Sequence, residues 1–231
     1  MTKTAKRQES LRDVLNMKED SHGSAGTVRR PGEGRPHIGI LAIQGDYAAH
    51  ADALSESGAE PSEIRKPSQL AALDGLILPG GESTTMLKFL ERLGFFQELE
   101  QFCKNHPVFG TCAGAILLAR EVRNPAQRSL AVLDAVVERN AYGRQIDSAI
   151  VTAETALPNG PLEMVFIRAP RIVETGASVE VLARREGFPV LVRQGQIMAA
   201  TFHPELSGDR RVHRLFVQIV ATAKGQPVAQ D

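Results

Sequence analysis

Tryptophan is absent and aromatic side chains make up only 5% of the 231 residues, too few for a base-stacking surface. Net charge is absent as well. The 27 Lys and Arg balance 27 Asp and Glu, so no global basic field draws the chain to nucleic acid or to an anionic membrane. No uncharged apolar run reaches the roughly 18 residues of a transmembrane helix. With only two cysteines, Cys103 and Cys112, no disulfide framework can form, and that usage fits a reducing cytoplasm. What remains is globular in composition: 42% hydrophobic residues and 20 glycines, enough to bury the core of one large domain or at most two small ones.

The chain divides unevenly. Residues 1–36 carry eight basic and five acidic side chains, few large apolar residues, and a Gly/Ser/Pro/Arg stretch from Ser21 to Pro36. They read as a disordered N-terminal extension of net charge +3, which leaves −3 on the remainder. The extension lacks the apolar centre of a signal peptide, and Glu9, Asp13, Glu19 and Asp20 weaken a transit-peptide reading. A translation start placed too far upstream, with Met17 as one alternative, is an equal reading. Residues 225–231 read as a short C-terminal tail, so the domain is expected over 37–224.

Within that domain strands precede helices. A buried strand over His37 to Ile43, a turn at Gln44-Gly45-Asp46 and a helix from Tyr47 to Ser57 are followed by the strand Gly75 to Leu78 and a helix from about Thr84 to Leu93. A helix from about Phe95 to Asn105, the strand Val108 to Thr111 and a helix from Ala113 to Ala119 continue the pattern. This alternation predicts an α/β fold with a parallel sheet covered on both faces. Beyond Leu130 the texture turns β-rich, with segments near Ala131 to Glu138, Val179 to Ala183, Pro189 to Arg193 and Gln196 to Phe202, before a last helix from about Asp209 to Ala223.

Three segments carry chemistry. Gly110-Thr111-Cys112-Ala113-Gly114 falls at a strand-to-helix junction, where small residues permit a sharp turn and the helix N-terminus favours a thiolate, the reactive form of the thiol. Read alone, Cys112 could be a small buried hydrophobe, the usual lot of a free cysteine; Cys103, inside a predicted helix, is read that way. Thr201-Phe202-His203-Pro204-Glu205 ends a buried strand, and side chains two apart leave the same side of extended backbone. Cys112, His203 and Glu205 therefore supply nucleophile, base and orienting carboxylate, although His-Pro-Glu alone could be a capping turn. Pro79-Gly80-Gly81-Glu82-Ser83 follows a third buried strand. Its glycines would let backbone N–H groups approach an oxyanion; with no Gly-Lys-Ser/Thr, a Walker loop is disfavoured, and a plain turn with a helix cap is the alternative. The other histidines, His22, His37, His50, His106 and His213, lack metal-ligand spacing and are read as solvated or packing residues. No metal and no cofactor is expected.

In this order the three segments resemble the class I (triad) glutamine amidotransferases. Further segments narrow the resemblance to the glutaminase subunits of pyridoxal 5′-phosphate synthase, the PdxT/SNO family: Ile40-Leu41-Ala42-Ile43-Gln44-Gly45, Leu76 through Met86, Glu138-Arg139-Asn140-Ala141-Tyr142-Gly143-Arg144-Gln145 and Phe166-Ile167-Arg168-Ala169-Pro170. The resemblance spans His37 to about Lys224. It implies a three-layer fold with a mostly parallel central sheet and a β-rich C-terminal half. It also implies a Cys112, His203, Glu205 triad, with an oxyanion hole from the backbone of Gly81 and Ala113. Glutamine would be held by Gly81, Glu82, Ser83, Arg139, Ile167 and Arg168, a guanidinium suiting the amino-acid carboxylate; for Arg139 alone a surface ion pair is the ordinary reading. The activity implied is hydrolysis of glutamine to glutamate and ammonia, with the ammonia passing to a separate synthase subunit that activates an otherwise quiet glutaminase. Ala115 and Ala131 depart from the family pattern, standing where a larger residue and a glycine are expected. A glutaminase serving another synthase, and a non-catalytic binding subunit of the same fold, are the alternatives.

Overall fold

The computed structural model describes residues 34–139 and 148–225. The positions expected to form the extension up to Glu33 and the tail from Gln226, together with Asn140 through Gln145 of the Arg-Asn-aromatic segment, lie outside the described residues.

Seven strands form the central sheet: β1 (His37–Leu41), β2 (Glu60–Ile64), β3 (Gly75–Leu78), β4 (Val108–Thr111), β10 (Glu180–Arg185), β11 (Phe188–Gln194) and β12 (Ile197–Ala200). Their order is β10-β11-β12-β4-β3-β1-β2. From β12 to β2 every neighbouring pair is parallel, whereas β10, β11 and β12 meander antiparallel. Short helices connect the parallel strands: α1 (Tyr47–Glu56), α2 (Ser83–Arg92), α3 (Phe95–Asn105) and α4 (Ala113–Leu118), with α5 (Arg211–Ala223) closing the described chain. A three-stranded sheet, β5 (Ala119–Arg123), β6 (Leu133–Glu138) and β9 (Arg171–Thr175), and a hairpin of β7 (Ser148–Ala153) and β8 (Leu162–Ile167) make up the β-rich part. The expected three-layer α/β fold is the one observed.

Period-two alternation in the central strands builds two cores. Leu76, Leu78 and Val108 face a cluster that includes Met86, Phe95, Leu99 and Leu117, while Ile77, Ile38, Ile40 and Phe109 face Leu54, Phe166, Phe202 and Phe216 on the opposite side. A parallel sheet buried on both faces needs apolar residues at consecutive positions, which is why Gly75–Leu78 and Val108–Thr111 are wholly buried.

Several boundaries differ from expectation. The predicted first strand stops at Leu41 rather than Ile43, freeing Ala42 through Asp46 as a loop. The helix after Cys112 stops at Leu118, and Ala119 begins β5. Ala131, where a glycine was expected, adopts φ 54°, the left-handed region that favours glycine. Among the described residues no helix is long and apolar enough to cross a membrane.

Candidate active site

Strand register brings the three sequence segments to one edge of the sheet. Ala200 of β12 pairs with Thr111 of β4, and Gly110 of β4 pairs with Leu78 of β3, all in parallel. The residues that follow each strand therefore leave at the same carboxyl edge: Thr201-Phe202-His203 from β12, Cys112 from β4, and Pro79-Gly80-Gly81 from β3. The crevice beyond the carboxyl ends of parallel strands is where open α/β sheets bind ligands.

Cys112 occupies the elbow itself, with φ 47° and ψ −102°. A non-glycine residue there stores strain of order 1–3 kcal/mol, and the surroundings hold it in place: its N–H donates to the Ala200 carbonyl at 2.9 Å and its carbonyl accepts from Ile116 N–H at 3.2 Å. The flanking glycines have a steric reason. A Cβ on Gly110 would come within 2.5 Å of the Gly114 carbonyl carbon and 2.7 Å of Leu118 Cδ1, and one on Gly114 would overlap the Leu78 carbonyl. Strand and helix thus touch backbone to backbone, which forces the sharp turn and lifts the sulfur above the sheet.

His203 and Glu205 lie on the turn after β12. His203 Nδ1 is 2.7 Å from Glu205 Oε1, and the His203 backbone N–H donates to the Val165 carbonyl of β8 at 2.8 Å. The Glu205 carboxylate is fully buried behind the imidazole, whose own side chain is 12% exposed toward the cavity. Burial works against a charged His203, but hydrogen bonds to the Cys112 sulfur and to Glu205, reinforced by their charges, outweigh it and raise the imidazole to about 10. Near neutral pH the ring is therefore protonated. Cys103, by contrast, is buried in α3 and its thiol is pushed up to about 12 by desolvation, the signature of an inert structural cysteine. Both cysteines are free thiols.

These groups open onto a cavity of about 470 Å³. Gly81, Glu82, Ser83, Arg139, Ile167 and Arg168 all line it together with Cys112 and His203. Glu205 stands behind His203, and Ala113 is fully buried directly after Cys112, so neither side chain faces the cavity. Gly81 has φ +138° and packs against the Gln44 side chain. Glu82 caps α2: its carboxylate accepts from Thr84 N–H at 2.9 Å and Thr85 N–H at 2.7 Å, and the hydrogen bonds from Thr85 lead the effects that lower it to about 2. Ser83 donates its hydroxyl to Gln127 Oε1 at 3.0 Å. Arg139 is not a surface ion pair of the ordinary kind; its largely buried guanidinium donates to Thr84 Oγ1 at 2.6 Å and reaches Glu82 at 3.3 Å. Arg168, at φ 45°, follows the end of β8.

Sequence reading missed part of the lining. Gln44, Asp46, Ile116 and Leu206 also face the cavity; they lie in or beside recognised segments but carry no chemistry that singles them out. His50, read as a solvated or packing residue, is fully buried on α1, with its Nε2 3.2 Å from Thr111 Oγ1 and 3.4 Å from Glu205 Oε2. Among the described residues no cluster of three or more His, Cys, Asp or Glu side chains is arranged to hold a metal ion.

A doubly covered, mostly parallel sheet in this strand order is the class I glutamine amidotransferase-like fold. A crystal structure of a glutamine amidotransferase superposes with TM-score 0.74 at 46% identity, covering 80% of this chain and 98% of that one. PurLQS from Thermotoga maritima shares the fold, with TM-score 0.58 at 16% identity over 82% of this chain and 97% of that one. The chain belongs to the SNO glutamine amidotransferase family, whose sequence pattern matches residues 40–222. Pyridoxal 5′-phosphate synthase subunit PdxT of Koribacter versatilis is 60% identical over 183 residues, 79% of this chain and 95% of that protein. Its counterpart from Thermotoga maritima is 51% identical over 185 residues, 79% and 98% of the two chains.

Proposed function

We propose that the chain is the glutaminase subunit of a pyridoxal 5′-phosphate synthase, hydrolysing glutamine to glutamate and ammonia for a partner synthase subunit in a reducing cytoplasm. The observation that carries this reading is the coupled pair of Cys112 and His203 opening on one cavity, with Glu205 bonded to the imidazole from behind. The names of the 60% and 51% identical relatives supply the synthase.

The chemistry follows from the groups in place. The Cys112 sulfur, as thiolate, attacks the carboxamide carbon of glutamine, and backbone N–H groups at Gly81 and Ala113 receive the charge that develops on oxygen. Imidazolium at His203 gives its proton to the departing nitrogen as the C–N bond breaks, releasing ammonia and leaving a γ-glutamyl thioester. The thioester no longer carries the sulfur charge that helped hold His203 protonated, so the neutral ring is now a base. It takes a proton from water, hydroxide adds to the thioester carbon, and the C–S bond breaks to give glutamate and a regenerated thiolate–imidazolium pair. Net consumption is one glutamine and one water. Glu205 keeps the ring aligned throughout and stabilises its charged form.

In the cavity, Arg139 and Arg168 offer guanidinium groups to the substrate carboxylate, and the Gly81-Glu82-Ser83 turn with Ile167 sets its depth. Labelling with a diazoketone analogue of glutamine tests the site: the account expects one stoichiometric adduct on Cys112 and none on Cys103, with excess glutamine protecting. Adduct on Cys103, or no protection, would contradict it.

A further inference from the structure

Behind the triad, four buried polar side chains from separate elements meet: Glu205 on the turn after β12, Thr111 at the end of β4, His50 on α1 and His213 on α5. Glu205 Oε1 is taken by His203, whereas Oε2 is sealed from solvent with no closely bonded partner, the nearest ring nitrogen being His50 Nε2 at 3.4 Å. A buried carboxylate oxygen left without a donor is costly and leaves the carboxylate free to rotate.

The two histidines decide which way the protons point. Burial first, then the neighbouring His213 and His203, pushes His50 well below its ordinary value, and burial with nearby Arg210 drives His213 down to about 3 against the opposing pull of Glu56. Both rings are neutral, so each carries one N–H. His50 Nδ1 and His213 Nε2 are 3.1 Å apart, and one of them must donate. If His50 Nδ1 donated, its unprotonated Nε2 would face Oε2 of Glu205, acceptor against acceptor. His213 Nδ1 would then be a buried N–H with no partner among the described residues. If His213 Nε2 donates, the clash and the stranded N–H are both removed: His50 Nε2–H bonds Thr111 Oγ1 at 3.2 Å with Glu205 Oε2 beside it at 3.4 Å, and the atom left over is only a lone pair on His213 Nδ1. A buried donor without a partner is the rarer and more expensive defect.

We propose that His50 is a positioning residue of the triad, donating Nε2–H to the outer oxygen of Glu205 and itself held in that tautomer by a hydrogen bond from His213. The relay His213 to His50 to Glu205 to His203 fixes the carboxylate that aligns the base, and ties α1 and α5 to the reacting cysteine. It rests on the glutaminase reading above for its kinetic consequence but not for its geometry. Triads lose turnover when the orienting carboxylate no longer imposes the right tautomer on the base.

Two measurements test it. Nitrogen-15 NMR of histidine-labelled wild-type chain, which needs no substrate, should find His50 protonated at Nε2 and bare at Nδ1; a His50 ring protonated at Nδ1 overturns the relay. Glutamate release by the complex with the synthase subunit then compares two variants of equal polarity. His50→Gln puts an amide nitrogen near the position of Nε2, whereas His50→Asn puts one near Nδ1. The expected result is kcat within about threefold of wild type for His50→Gln and a fall of about tenfold or more for His50→Asn, with KM unchanged in both, the size of one charge-assisted hydrogen bond. Equal kcat in the two variants, or an effect confined to KM, contradicts the proposal. A wild-type complex that releases no glutamate contradicts the glutaminase reading instead, and the tautomer measurement still decides the role of His50.

Discussion

At the scale of the residue, His203 shows how two opposed effects settle on one chemistry. Desolvation alone would keep the ring neutral, yet the Cys112 sulfur and the Glu205 carboxylate raise it to about 10. A histidine whose folded value exceeds its unfolded value of about 6.5 stabilises the fold fully below that value and loses the contribution as pH rises through the folded one. The unfolding midpoint of wild type should thus decline relative to His203→Asn between pH 6.5 and about 10, and the difference should be constant below pH 6. Thermal unfolding of the two proteins across pH 5.5 to 10.5 checks this; a constant difference throughout would mean that the ring is not held protonated. The identity of the histidine was readable from Phe202-His203-Pro204-Glu205. The placement of His50 behind Glu205 was not, because nothing in Tyr47 through Glu56 separates a packing histidine from one lying beside a carboxylate 155 positions downstream.

At the scale of the element, the strand-elbow-helix unit depends on backbone contact. Gly114→Ala would place a methyl group against the Leu78 carbonyl, where neither backbone can give way, so the elbow must open or β3 and β4 must part. We expect a loss of about 3 kcal/mol or more, the upper range for overpacking, in urea unfolding, with activity falling further than stability; a variant of wild-type stability would show that the close approach is not required. Such units were legible because Gly75–Leu78, Phe95–Asn105 and Val108–Thr111 announce themselves by short apolar runs or helical spacing between turn residues. The strands that escaped notice have other textures. Strand β2 reads Glu-Pro-Ser-Glu-Ile, and a proline is tolerated there only because β2 is the outermost strand of its sheet. The start of strand β5 was absorbed into the preceding helix because Ala119 follows Leu118 without a glycine or proline between them, and Arg120 through Arg123 carry too many charged residues to mark a strand. Hairpin β7–β8 alternates exposed and less exposed residues, and Ile150 is 71% exposed, so the apolar pattern that marks a covered strand is diluted.

At the scale of the whole molecule, the sheet divides two apolar cores and delivers its chemistry to one edge. The cluster around Leu76, Met86 and Phe95 supports α2 to α4 and hence Cys112, while the cluster around Phe109, Phe166, Phe202 and Phe216 anchors the turn that carries His203 and Glu205. Family membership over residues 40–222 matches the extent of that architecture. The central claim is that this edge hydrolyses glutamine through a cysteine thioester for a synthase partner. It is tested most directly by glutamate release from glutamine, with and without the synthase subunit from the same source, in wild type and Cys112→Ala side by side. The account predicts release by wild type in the complex and none by Cys112→Ala under any condition. Undiminished release by Cys112→Ala, or none by wild type in a verified complex, would contradict it.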